Sequence, residues 1–145
     1  MRLVLAVLLL VMAAGQLSDM GGFADVLDGY RLVPEPLLTP LAWSLAASEV
    51  MAGLGLVSSR RWGANLAVVV AVAWSVLAIV TFARDVPVDN CGCFGVHLGQ
   101  PLRWWVLAQD ASFVASALLV RRAIRPPRVG AGGDGARSRD VSALR

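Results

Sequence analysis

The chain contains two cysteines, and a single glycine separates them in the segment Cys91-Gly92-Cys93. Two thiols at this spacing can pair as a disulfide, which an oxidising compartment outside the cytoplasm favours. Gly92 supplies the backbone freedom that so small a ring requires. A disulfide closed across one residue departs from the preferred geometry and removes little chain entropy, so it stabilises a fold poorly and is easily reduced. The spacing therefore favours exchangeable redox chemistry at Cys91 and Cys93 over a structural crosslink.

Metal binding is a second interpretation of the same segment. Cys91, Cys93 and His97 offer three soft or borderline ligands to copper or zinc, and Asp89 offers a fourth. The spacing matches no standard structural zinc pattern. We therefore predict no metal site and retain this ligand set as the alternative.

Two acidic residues, Glu49 and Asp110, interrupt apolar stretches of the sequence. From the helical rise, they would lie roughly 18 Å and 11 Å from the ends of their helices. A charge inside the membrane costs roughly 2.5–3.5 kcal/mol unless it is neutralised or paired, so both side chains should face the protein interior. These acids could relay protons or anchor a quinone-like electron carrier beneath the cysteine segment. The alternative is interhelical hydrogen bonding that holds the helices together.

Several residues could pair with these acids. Arg84 and Arg103 could reach toward Asp110 from the ends of the helices. The other candidates are Gln16, Ser18, Ser44, Ser48 and Gln109.

The elements that carry these residues are predicted from four apolar runs, residues 3–18, 37–57, 62–83 and 102–120. Hydrophobic residues make up 57% of the chain and charged residues 16%, with a mean hydropathy of +0.68, a composition that favours lipid over water. A spanning helix needs about 20 apolar residues, and the first run reaches that length only by including residues 19–23. We predict an all-α polytopic membrane protein with a bundle of four transmembrane helices in contact with membrane lipid. The first run has an alternative interpretation as a signal peptide, cleaved near Ala13-Ala14-Gly15.

Every Lys or Arg position in the chain is an arginine. The segments between the apolar runs carry different numbers of these arginines. With four spans, one side receives Arg2, Arg60, Arg61, Arg121, Arg122, Arg125 and Arg128, and the other receives Arg31, Arg84 and Arg103. Positive charge accumulates on the cytoplasmic side. We therefore predict a multi-pass protein of the cell membrane, with both termini cytoplasmic and the cysteine segment extracytoplasmic. Arginines at helix ends rather than on one face do not indicate a nucleic-acid partner.

The segments outside the spans have contrasting patterns. In the first outer loop, apolar residues recur at three- and four-residue spacing, which predicts a short interfacial helix that Gly29 and Pro34 end. These apolar residues are Phe23, Val26, Leu27 and Tyr30. After the transmembrane domain of residues 1–122, the Arg- and Gly-rich residues 123–145 lack periodic apolar positions, which predicts a disordered cytoplasmic tail.

At these positions the chain resembles the MauE family of methylamine-utilisation membrane proteins, within the wider DoxX-like group of four-helix membrane proteins. The resemblance covers about residues 3–122, and the segment from Cys91 to Gly95 is its most specific part. The other matching positions are Phe23, Tyr30, Pro34, Glu49, Gly53 and Asp110. The resemblance implies a role in maturing the disulfide-rich small subunit of methylamine dehydrogenase, together with a thioredoxin-like partner.

The residues and the resemblance together give one leading hypothesis and two alternatives. The leading hypothesis is a membrane component of thiol–disulfide exchange, in which Cys91 and Cys93 react with a thioredoxin-like protein outside the cytoplasm. Glu49, Asp110, Arg84, Phe94 and Tyr30 are predicted to support that pair. The alternatives are a non-catalytic assembly protein that docks a client, and metal handling through Cys91, Cys93 and His97. A quinone is the cofactor that we consider as the electron acceptor.

Overall fold

The computed structural model of the chain describes residues 1–124, and within that part it contains helices and no strand. The helices are α1 (Arg2–Ser18), α2 (Met20–Gly29), a short 3-10 helix (Glu35–Leu37), α3 (Leu38–Val57), α4 (Arg61–Ala83) and α5 (Trp104–Ala123). The predicted all-α class is therefore confirmed. The predicted disordered tail lies outside the described residues except for its first two positions, and there Ala123 is the last residue of α5.

Two segments of the described chain, Glu35–Val57 and Arg61–Ala83, are long and apolar enough to cross a membrane. A third span results if α1 and α2 are counted together as one bent span. We expected the first span to continue through residues 19–23, and it does not do so as one straight helix. The helix axis turns by 101° between α1 and α2, and the side chain of Asp19 caps the new helix by accepting a hydrogen bond from Gly22 N.

The long helices pack in chain order, with α1 against α3, α3 against α4, and α4 against α5, while α2 lies against α3. Small residues let two of these pairs approach closely. A Cβ added at Gly53 would lie 2.7 Å from Cγ of Leu10 on α1, and one added at Gly55 would lie 2.6 Å from Cα of Gly63 on α4. The outward faces stay apolar, as lipid requires. Exposed large side chains on these faces include Val4, Val7, Val69, Val76, Ile79 and Leu119.

Helix α2 has the amphipathic pattern that the sequence predicts. Phe23, Leu27 and Tyr30 are buried, while Asp25 and Asp28 are exposed. The helix ends at Gly29, as predicted. The apolar face of α2 therefore covers one end of the packed helices, where the segment between α4 and α5 also lies.

Candidate functional site

The two cysteines lie on the segment of residues 84–103 between α4 and α5, which we call the cysteine loop. Two backbone hydrogen bonds join its arms, from Cys91 N to Gln100 O (2.8 Å) and from Leu102 N to Val88 O (2.9 Å). The side chain of Asn90 then fixes the turn between them. Its Oδ1 accepts from Gly92 N at 2.9 Å, and its Nδ2 donates to Gly95 O at 3.0 Å.

Glycine is needed at two positions of this loop. Gly92 has a φ of +76° and Gly95 a φ of +69°, values that side chains with a Cβ rarely adopt. The positive φ at Gly92 reverses the chain between the cysteines and brings their side chains to the same side of the loop. The Cys91 and Cys93 Sγ atoms consequently lie 3.5 Å apart, within hydrogen-bond distance for sulfur.

Both cysteines are free thiols, and their surroundings shift their pKa values in opposite directions. The hydrogen bond between the two thiols lowers the pKa of Cys91 to about 7, against the opposing effect of burial. The same hydrogen bond, together with burial, raises the pKa of Cys93. Cys91 is therefore the thiol of the pair that ionises more readily, although its side chain is buried while that of Cys93 is partly exposed.

Three contacts from other elements hold the backbone of the cysteine loop. The Tyr30 hydroxyl donates a 2.6 Å hydrogen bond to the carbonyl oxygen of Cys91. Burial raises the pKa of Tyr30, so its hydroxyl remains a donor. Gln16 Nε2 lies 3.4 Å from the Cys93 carbonyl oxygen. Finally, the Phe94 carbonyl packs so closely against Gly15 of α1 that a Cβ there would collide with it.

Beneath the loop, Glu49 is fully buried and joins three helices. Its carboxylate accepts from Gln16 Nε2 of α1 at 2.9 Å and 3.1 Å, and from Trp74 Nε1 of α4 at 2.7 Å. The predicted inward orientation of Glu49 and its pairing with Gln16 are confirmed. This arrangement agrees with the interhelical hydrogen bonding that we considered as the alternative to a proton relay.

Asp110 of α5 is also buried, with 9% of its surface exposed, but its surroundings differ from those of Glu49. Within residues 1–124, no hydrogen bond or ion pair to its carboxylate is present. The side chain instead lines a cavity of about 60 Å³. The polar and aromatic residues on the cavity wall are Cys91, Cys93, Phe94, Gln100, Gln109, Asp110 and Phe113.

The arginines that the sequence offers as partners of Asp110 have other contacts. Arg84 donates to the carbonyl oxygen of Arg31 at 3.0 Å, which ties the cysteine loop to the end of α2. Arg103 lies over the ring of Trp105, 5.2 Å from its centroid. Of the other candidates, Ser44 and Ser48 donate to backbone carbonyls of their own helix. These predicted partnerships with the buried acids are therefore wrong.

The structure gives His97 a contact with α1. Its Nε2 lies 2.8 Å from the hydroxyl oxygen of Ser18. Throughout residues 1–124, no three side chains of His, Cys, Asp or Glu are grouped closely enough to hold a metal ion. The ligand set of Cys91, Cys93 and His97 is thus not assembled.

Sequence reasoning missed three residues of this region, namely Gly15, Trp74 and Asn90. Trp74 had a usable signal, because a tryptophan inside an apolar helix still needs an acceptor for its N–H. Asn90 had one too, since asparagine before a glycine commonly bonds to the backbone of a turn. Gly15 had no such signal in the sequence, because its importance depends on how closely the cysteine loop approaches α1.

These features define an apolar helical membrane protein that carries a dithiol loop at one end of its packed helices. The chain belongs to the MauE family, because the family model described as "Methylamine utilisation protein MauE" matches residues 1–122. A curated relative, "Methylamine utilization protein MauE" of Paracoccus denitrificans, is 29% identical over an alignment of 128 residues, and the match covers 83% of this chain. The chain spans 66% of that relative's length, slightly under two thirds. No solved structure matches the chain.

Proposed function

We propose that this chain is a membrane component of thiol–disulfide exchange, in which Cys91 and Cys93 react with a thioredoxin-like protein outside the cytoplasm. The observation that carries the proposal is the 3.5 Å separation of the two Sγ atoms within a loop held from α1 and α2. A pair this close needs only a small side-chain movement to form a disulfide. Its anchored backbone holds the two sulfur atoms close together while both are free thiols.

The two thiols have complementary roles in this exchange. We assign the attack to Cys91, whose pKa of about 7 favours the thiolate, although Cys93 is the more exposed of the two side chains. Its attack on a partner disulfide forms a mixed disulfide and releases one partner thiolate. Cys93 then attacks Cys91 Sγ, which closes the Cys91–Cys93 disulfide and releases the second partner thiolate. The pair is thereby oxidised by two electrons, and the partner disulfide is reduced. The reverse sequence of steps transfers a disulfide to the partner.

The membrane arrangement that suits this function has four spans, α1, α3, α4 and α5. Cytoplasmic termini then leave the cysteine loop on the oxidising side. Helix α1 supports this arrangement by packing along α3 and contributing Leu9, Met12 and Gln16 to the interior, as a retained helix does. Its 17 residues measure about 26 Å, and the sharp turn into α2 allows the chain to leave the membrane there.

The topology can be tested with two engineered cysteines in a Cys91→Ala, Cys93→Ala background. Leu98 in the cysteine loop and Ser58 between α3 and α4 are both exposed. A membrane-impermeant maleimide should label Leu98→Cys in intact cells, and it should label Ser58→Cys only after permeabilisation. Labelling of both positions in intact cells, or of Ser58→Cys alone, contradicts the proposed orientation.

Methylamine utilisation is the process in which we place this exchange, on the strength of the family. Within it, the client would be an envelope protein that needs its disulfides formed or corrected, and the thioredoxin-like partner would carry the exchange to that client. A non-catalytic docking protein is the competing function. The thiolate character of Cys91 favours exchange over docking, because a purely structural pair has no need of a lowered pKa.

Thiol trapping in cells tests the proposed function. In a Cys93→Ser variant, Cys91 can attack the partner but no thiol resolves the adduct, so a mixed disulfide with an envelope protein should accumulate on non-reducing gels. Cys91→Ser is the matched control and should accumulate much less. If both variants keep full function and neither forms an adduct, the exchange proposal fails.

A further inference from the structure

The carboxylate of Asp110 has no role in the exchange described so far. The residue is about nine-tenths buried, its carboxylate oxygens are not fully enclosed, and within the described chain they have no hydrogen-bond partner. By contrast, both carboxylate oxygens of Glu49 accept hydrogen bonds, which Gln16 and Trp74 donate. A buried carboxyl group that packing leaves unpaired inside a cavity is a candidate for proton transfer.

Asp110 shares its cavity with the two reacting sulfur atoms. Cys91 and Cys93 line the same space of about 60 Å³, and the side chains of Gln100 and Gln109 add polar groups to its wall. A buried water needs roughly 10–15 Å³ of such space and two or more polar partners. The cavity therefore has room and hydrogen-bonding groups for water between the carboxylate and the thiols.

The exchange chemistry requires a proton acceptor at this place. Cys93 must lose its proton before it can attack, because only the thiolate is nucleophilic. In the mixed disulfide Cys91 is no longer a thiolate, but burial still raises the pKa of Cys93, so its spontaneous ionisation near neutral pH is rare. The other titratable groups close to the thiols already make contacts of their own. Cys91 is the attacking thiolate, the Tyr30 hydroxyl donates to Cys91 O, and Glu49 is bound by Gln16 and Trp74.

We propose that Asp110 accepts the proton of the Cys93 thiol, through water in the shared cavity, as Cys93 closes the disulfide with Cys91. This inference rests on the proposed thiol–disulfide exchange. The Cys93 S–H bond breaks and its proton moves to the Asp110 carboxylate. The Cys93 thiolate then attacks Cys91 Sγ, the bond between Cys91 and the partner sulfur breaks, and the Cys91–Cys93 bond forms. The departing partner thiolate takes the proton from Asp110, which returns to its initial state.

The experiment uses the full chain in lipid nanodiscs, reduced and then mixed with dithiodipyridine in a stopped-flow spectrometer. Attack by Cys91 releases one thiopyridone, and resolution by Cys93 releases a second, so absorbance separates the two steps. Asp110→Asn should slow the second phase on the order of 100-fold and leave the first nearly unchanged, because general-base catalysis contributes about this much. In the Asp110→Asn variant, the rate of the second phase should increase steadily with pH, because hydroxide then removes the proton from Cys93. Asp110→Glu should restore much of the rate.

Ser112→Ala is the matched control on the same helix. Ser112 is exposed, donates to the Ala108 carbonyl within α5 and does not line the thiol cavity, so both phases should match the native protein. The inference is overturned if Asp110→Asn leaves the second phase unchanged or slows both phases equally. If the native protein releases only one thiopyridone, the disulfide does not form, and the proposed function itself fails.

Discussion

The Tyr30 hydroxyl donates a 2.6 Å hydrogen bond to the carbonyl oxygen of Cys91, joining residues 61 positions apart in the sequence. Through this bond, the end of α2 determines the position of the first cysteine of the pair. The contact also explains why a polar aromatic residue lies at a position that is 2% exposed. The thiol site consequently depends on the turn between α1 and α2, although neither helix carries a cysteine.

Tyr30→Phe should loosen the cysteine loop without removing a thiol. The substitution leaves the Cys91 carbonyl without its side-chain donor, and an unsatisfied buried acceptor costs about 1–3 kcal/mol. Hydrogen–deuterium exchange in nanodiscs should therefore accelerate at the amides of Cys91 and Gly92. Peptides from α4 provide the internal control and should exchange at the native rate. Unchanged protection of the loop contradicts the anchoring role of Tyr30.

Gly15→Ala should displace the cysteine loop from α1. A Cβ at this position collides with the Phe94 carbonyl, and overpacking of this kind costs about 1–3 kcal/mol. Gly29→Ala is the matched control, because nothing lies within 4 Å of an added Cβ there. We expect thermal unfolding in detergent to occur at lower temperature for Gly15→Ala alone, together with faster alkylation of the cysteines. Equal behaviour of the two variants excludes close contact between the loop and α1.

Trp74→Phe should destabilise the packed helices by removing the indole donor of Glu49. The loss of one hydrogen bond to a buried carboxyl group costs about 1–3 kcal/mol. Trp43→Phe on α3 is the control, since that side chain is 53% exposed and its loss should have little effect. The measurement is the midpoint of unfolding in detergent. A Trp43→Phe variant that is as unstable as Trp74→Phe argues against a specific role for the 2.7 Å bond from Trp74 to Glu49.

Alkylation by iodoacetamide should report the lowered pKa of Cys91. Only the thiolate reacts, and its fraction increases with pH, so the rate should rise with a midpoint near the pKa of about 7. Cys93→Ala removes the hydrogen bond that lowers this pKa, and the midpoint should move upward toward the ordinary thiol value of about 8.5. A midpoint that is unaffected by Cys93→Ala shows that the thiols are not hydrogen bonded.

The sequence determined those features that depend on composition and short-range pattern. Long runs of apolar residues predict helices in lipid, and the apolar face of α2 follows from residues three and four positions apart. The location of both cysteines on one loop is likewise a property of the chain alone. The number of spans was harder to predict from the sequence. Helix α1 has only 17 residues, and the chain turns by 101° at Asp19 instead of continuing the helix.

Only the tertiary structure decided which polar residues meet. Gln16 and Glu49 are 33 positions apart, Trp74 and Glu49 are 25 apart, and Gln16 and Cys93 are 77 apart. Helices that are apolar on nearly every face leave their rotation about the axis undetermined by pattern, so close packing and buried hydrogen bonds select it. That selection gives Glu49 three hydrogen bonds and leaves Asp110 facing the thiol cavity. The two acids look alike in the sequence, and the packing of the helices gives them different chemistry.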